Sequence, residues 1–89
     1  MKTVHLKISG KVQGVFFRAS AKEVAKLNKI SGWIKNTYDD EVEALITGKN
    51  EDVEKFISWC KHGPEKAIVE NIIINNRELQ IFNRFEIVR

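Results

Sequence analysis

Cysteine is almost missing from this sequence. Among 89 residues there is one, Cys60, so no internal disulfide can form and stability does not call for an oxidising compartment. Long apolar runs are missing too. No segment approaches the roughly 18 residues of a membrane helix, and the opening Met1-Lys2-Thr3-Val4-His5 lacks the apolar stretch of a signal peptide. The expectation is a cytoplasmic protein with no membrane partner. Histidine is limited to His5 and His62, far apart in sequence and without metal-ligand spacing. Both read as structural or surface residues, and neither a metal nor a cofactor is expected. No linker, repeat or low-complexity tract divides the chain, and its length suits one small domain over residues 1–89.

What is present is the composition of an ordinary globular protein, 43% hydrophobic and 30% charged. A chain of this size buries roughly 60–65% of its unfolded surface, enough for one modest core. The net charge of +3 is unevenly spread. Residues 1–36 carry eight Lys/Arg against one acid, Glu23, a local +7; residues 37–89 carry seven against eleven, a local −4. The basic half is suited to drawing in an anion. Its cations are scattered and carry no aromatic interleaving, which argues against nucleic acid.

Periodicity supplies the elements. Val4, Leu6 and Ile8 alternate with Thr3, His5, Lys7 and Ser9, the period of a half-buried strand. Phe17, Ala21, Val24, Ala25 and Asn28 fall on one face of a helix over about residues 19–28. Ile30 to Thr37 and Val42 to Gly48 read as a strand hairpin, with Asp39, Asp40 and Glu41 as its solvated tip rather than a metal cluster. Asn50 suits a helix N-cap. Val53, Phe56, Ile57 and Cys60 mark a second amphipathic helix, which Gly63-Pro64 stops. Ala67 to Asn75 is β-branched and strand-like, Asn75-Asn76-Arg77-Glu78 reads as a turn, and Ile81 to Val88 as a last strand. The segment from Ala67 to Ile74 is an aggregation liability if it forms an edge. Cys60 on an apolar stripe reads as an inert thiol, and Trp33 and Trp59 as packing residues. The order predicts an α+β, ferredoxin-like β-α-β-β-α-β fold: an antiparallel sheet with two helices packed on one face and an extra C-terminal strand.

One stretch carries chemistry. Gly10-Lys11-Val12-Gln13-Gly14-Val15-Phe16-Phe17-Arg18 joins the first strand to the first helix. Its two glycines allow a tight turn and close approach to a ligand. Its free N–H groups, over about residues 13–18, meet the positive end of the helix, which favours phosphate or another anion. Arg18 adds a planar positive fork suited to phosphate oxygens. The candidate phosphate-binding loop is thus Gln13, Gly14, Val15, Phe16 and Phe17, acting mainly through the backbone. Gln13 also suits a hydrogen bond within the loop, and Phe16 and Phe17 read as packing residues with Phe17 on the core stripe.

These residues resemble the acylphosphatase family over nearly the whole chain. The family signature Gly-x-Val-Gln-Gly-Val-x-Phe-Arg fits residues 10–18 at every fixed position. A second family stretch, Gly-Trp-Val-x-Asn followed by a Val-Glu strand, is matched by Gly32-Trp33-Ile34-Lys35-Asn36 and Val42-Glu43. The resemblance implies hydrolysis of acyl phosphates without metal or cofactor, with Arg18 binding the substrate phosphate and Asn36 orienting the attacking water. Two positions depart from the family pattern. Asp40 stands where the hairpin turn has Gly, and Lys29 near the Gly that follows the first helix, so that Asn28 is expected to take the left-handed capping position. With no appended sequence, a free-standing monomeric enzyme is expected. The competing readings are a non-catalytic acyl or carbamoyl phosphate-binding module and an RNA-binding ferredoxin-like domain. The latter uses exposed aromatics on its central strands, and Val4–Ser9 and Val42–Thr47 have none.

Overall fold

The structure is a computed structural model describing residues 1–89. In chain order it contains β1 (Lys2–Lys11), α1 (Phe17–Leu27), β2 (Ser31–Asn36), β3 (Val42–Gly48), α2 (Asn50–Cys60), β4 (Ile68–Arg77) and β5 (Phe85–Ile87). The strands form one sheet in the order β4-β1-β3-β2-β5. Strand alternation does what the sequence predicts. Val4, Leu6 and Ile8 of β1, Ile34 of β2 and Val42, Ala44 and Ile46 of β3 share one face and join the core. From above that face, α1 contributes Phe17, Ala21 and Ala25, and α2 contributes Val53, Phe56, Ile57 and Cys60. Burial of Cys60 pushes its thiol far up, so it stays protonated and inert. An aromatic chain ties the layers together. Phe17 meets Trp59 at 5.3 Å, Trp59 meets Phe56 at 6.3 Å, and Phe56 meets Phe85 of β5 at 5.9 Å between ring centroids.

The sheet is mixed, not purely antiparallel. β4 descends along one edge and ends at Arg77, opposite Thr3 at the start of β1. The chain then crosses the foot of the sheet to the far edge, so β5 rises beside β2 in the same direction, with Gly32 opposite Phe85 and Ile34 opposite Ile87. The crossing is pinned by a ring of three hydrogen bonds. The Thr3 hydroxyl meets the Thr47 hydroxyl at 2.6 Å, Thr47 Oγ1 donates to the Gln80 carbonyl at 2.8 Å, and the Gln80 amide donates to Thr3 Oγ1 at 2.9 Å. Both threonines are buried as a result.

Several boundaries differ from the sequence reading. The last strand covers only Phe85–Ile87 because the preceding residues form the crossing. β4 continues through Asn75 and Asn76 to Arg77, where a turn was expected, because β1 offers pairing partners that far. The N-cap of α2 is Lys49, with no side-chain capping bond, and Asn50 is the first helical residue. After α1, Lys29 takes the left-handed conformation (φ 55°), whereas Asn28 sits at φ −107°. The amide of Ile30 reaches the Ala25 carbonyl at 2.9 Å and that of Lys29 reaches Lys26 at 3.4 Å, which closes a Schellman-type end with Lys29 at its left-handed position. Asp40 adopts φ 67° in the hairpin turn, as its place in the family pattern implies.

Candidate active site

β1 and β2 both run upward and end on the side of the sheet opposite the crossing. The loop after Lys11 enters α1 there, beside Asn36 at the end of β2 and Ile87 at the end of β5. Val12 and Val15 are buried and Phe17 is locked into the aromatic chain, so the loop is nailed to the core at three points. Between them the backbone takes left-handed turns at Gly14 (φ 73°) and Phe16 (φ 63°). Such a conformation costs a bulky residue about 1–2 kcal/mol, and the buried neighbours enforce it.

The result is a set of amides without protein partners. The N–H groups of Gln13, Gly14, Val15 and Phe16 donate to no protein acceptor, and the first helical bond is Ser20 N–H to the Phe16 carbonyl at 3.0 Å. The amides of Phe17, Arg18 and Ala19 therefore begin the helix without intrahelical partners. A Cβ built on Gly14 meets no atom within 4 Å, so it would project into open space. Gly10, the other glycine of the motif, serves a different purpose. A Cβ there would lie 2.2 Å from the Ile68 carbonyl, and β1 and β4 change register between Ser9 and Gly10. Its bareness admits the neighbouring strand, not a ligand.

Arg18 and Asn36 line one cleft of about 350 Å³ together with Val12, Gly14, Phe16 and Phe17 of the loop and Ala19, Ile87 and Arg89. Two arginines line this cleft and no aspartate or glutamate does. Arg18 is half-buried and lies within ion-pair distance of no acid. Lys2, Lys7 and Lys35 pair with Glu54, with Asp39 and Glu41, and with Glu43, whereas Lys11, Lys22, Lys26 and Lys29 keep no partner. Of these, Lys11 ends β1 just before the loop, whereas Lys22 and Lys26 lie along α1 and Lys29 beyond its end. Asn36 brings an amide whose Oδ1 is buried and accepts no hydrogen bond. A buried polar atom left this way costs about 1–3 kcal/mol, and here it belongs to a residue that lines the cleft.

Gln13 is a tie, not a lining residue. Its Nε2 donates to the carbonyls of Thr37 and Glu41, both at 2.8 Å, and so fastens the loop to the hairpin that carries Asn36. The hairpin is itself braced. Thr37 N–H donates to Glu41 at 2.9 Å, and the Thr37 hydroxyl donates to Asp39, holding that carboxyl below its ordinary range.

Similarity to known proteins agrees with this geometry. The family model for acylphosphatase matches residues 4–87. The chain belongs to the acylphosphatase family. An acylphosphatase of Syntrophus aciditrophicus is 44% identical over 72 residues, covering 81% of this chain and 75% of that protein. The crystal structure of the acylphosphatase from Bacillus subtilis superposes with a TM-score of 0.96 at 33% identity, over 100% of both chains. Full-length HypF, in its phosphate- and nucleotide-bound form, matches with a TM-score of 0.92 at 26% identity. The match covers 99% of this chain but only 12% of HypF. The chain is therefore an enzyme of the acylphosphatase family on a ferredoxin-like frame.

Arg18, Asn36 and the loop residues Gly14, Phe16 and Phe17 reach one cleft. Val15 turns inward, and Gln13 spends its side chain on the hairpin. The packing role that the sequence predicts for Phe16 does not hold: its ring is 79% exposed, whereas Phe17 is 1% exposed. Ile87 and Arg89 were missed, because nothing in the local pattern says that the chain's end returns to the first loop. His5 is structural: its Nε2 lies 2.6 Å from Glu43 on the open face of the sheet.

Proposed function

We propose that this chain hydrolyses the carboxyl–phosphate bond of acyl phosphates, with Arg18 and Asn36 as its catalytic side chains. The observation that carries the reading is a cleft of unpartnered amides around an arginine that has no carboxylate of its own. The dianionic phosphoryl group lies in the loop of Gln13 to Phe17, held by N–H groups and the Arg18 guanidinium. The Asn36 carboxamide, able both to donate and to accept, orients a water molecule toward phosphorus, in line with the acyl oxygen. As the water O–P bond forms, the P–O bond to the acyl group breaks and the carboxylate leaves with the electron pair. The water's proton passes to a phosphoryl oxygen, giving inorganic phosphate. A carboxylate is a good leaving group, so no general acid is called for, and the reading invokes no cofactor. Fixed positive dipoles and positioning supply the acceleration, as the loose transition state of phosphoryl transfer requires.

The test is phosphate release from benzoyl phosphate, with and without EDTA, by the parent, Arg18→Ala and Asn36→Ala. Each variant is expected to lose at least ~10²-fold in rate, the usual cost of one stabilising donor. Near-parental activity in both would refute the assignment. HypF, which carries this fold as a small part of a phosphate-bound protein, motivates the second reading, a non-catalytic phosphate-binding module. Tight phosphate binding without turnover is its signature.

A further inference from the structure

Phe16 has no structural return for its position. Its neighbours Val15 and Phe17 are buried, and the turn they impose throws the ring outward at φ 63°. It packs into no core cluster, yet it lines the cleft with Val12 and Ile87, beside a residue with no side chain, Gly14. Val12 is itself buried, so the exposed Phe16 ring and the half-buried Ile87 supply the apolar side of the cleft, next to the loop and two arginines. An acyl phosphate has the same division: a charged phosphoryl group joined to an acyl group that must leave the cradle at its mouth.

We propose that Phe16 determines specificity for the acyl half of the substrate, favouring flat aromatic or bulky apolar acyl groups over acetyl. This rests on the acyl phosphate reading above. The ring gives an aryl group an offset-stacking surface, and Ile87 adds apolar contact. A methyl group reaches little of either. Strain at this position makes the ring's exposure a fixed property of the loop, so the surface is ready before substrate arrives.

Two measurements separate this proposal from the reading beneath it. The first is kcat/KM for benzoyl phosphate and for acetyl phosphate with the parent, Phe16→Ala, Phe16→Asn and Phe16→Trp. Asn tolerates the left-handed conformation, so loss of the ring can be told from distortion of the loop. Ala and Asn are expected to lower the benzoyl-to-acetyl ratio by roughly 3- to 10-fold, through KM for the aryl substrate, and Trp to keep it. The second is binding of benzoylphosphonate and acetylphosphonate, which carry a non-hydrolysable C–P bond. The same change in ratio is expected there. If the parent turns over neither substrate, the hydrolase reading fails, while the phosphonate ratio still decides the role of Phe16. A ratio unchanged in both variants, or both ligands weakened in equal proportion, overturns the proposal.

Discussion

At the scale of the residue, a missing side chain does as much as a present one. Gly14 combines a left-handed backbone with open space where a Cβ would go. Gly14→Ala is expected to cost only about 1–2 kcal/mol of stability from backbone strain. Gly14 lines the cleft, however, so phosphate release should fall far more than the urea midpoint does. Glu43 gives a pH dependence. The His5 hydrogen bond, aided by the charges of His5, Lys35 and Lys7, holds its carboxyl below the ordinary 4.5. A depressed carboxyl stabilises fully above the unfolded value and loses that contribution as pH falls through the folded one. The parent should therefore exceed Glu43→Gln in urea midpoint near neutrality, with the gap closing as pH drops below 4.5. That Arg18 and Gly14 meet in one cleft was legible in sequence, because both stand at fixed spacing in one strand–loop–helix stretch. The outward turn of Phe16 was not, since Phe16 and Phe17 look alike until one knows which of them the core admits.

At the scale of the element, alternation and stripe positions predicted the strands and helices because burial on one face dictates both. Errors gathered at the ends. Asn28 has the better intrinsic claim to a left-handed cap, but the Schellman closure places the turn one residue later, on Lys29. Ile30, just beyond, is buried and fixes that register. Lys29→Gly is accordingly expected to stabilise the protein by about 0.5–1 kcal/mol, read as a raised Tm, with little effect on turnover. β4 forms the free edge that its composition warned of. Ile68, Ile73 and Ile74 are exposed along a ten-residue strand, and neither proline nor lysine interrupts it. Its length was underestimated because a turn signal such as Asn75-Asn76 yields when a neighbouring strand offers backbone partners.

At the scale of the whole molecule, the ring of Thr3, Thr47 and Gln80 joins three distant parts of the chain. Thr47→Val keeps the shape and removes the donor to the Gln80 carbonyl. It is expected to cost about 1–3 kcal/mol in urea unfolding. It should also raise KM, because the crossing delivers β5 and, with it, Ile87 and Arg89. None of this was readable from local pattern: two threonines in separate strands signal nothing until the topology makes them neighbours. The same crossing bears on the order of events in folding. Loop, helix and Asn36 lie within the first 36 residues, whereas the remaining wall of the cleft comes from residues 87 and 89. Closing so long a span is entropically slow compared with forming a hairpin or a helix. Catalytic competence is thus expected to arise late in folding. A nascent or truncated chain can carry the whole signature motif and still lack an enclosed cleft, until the last strand docks beside the second.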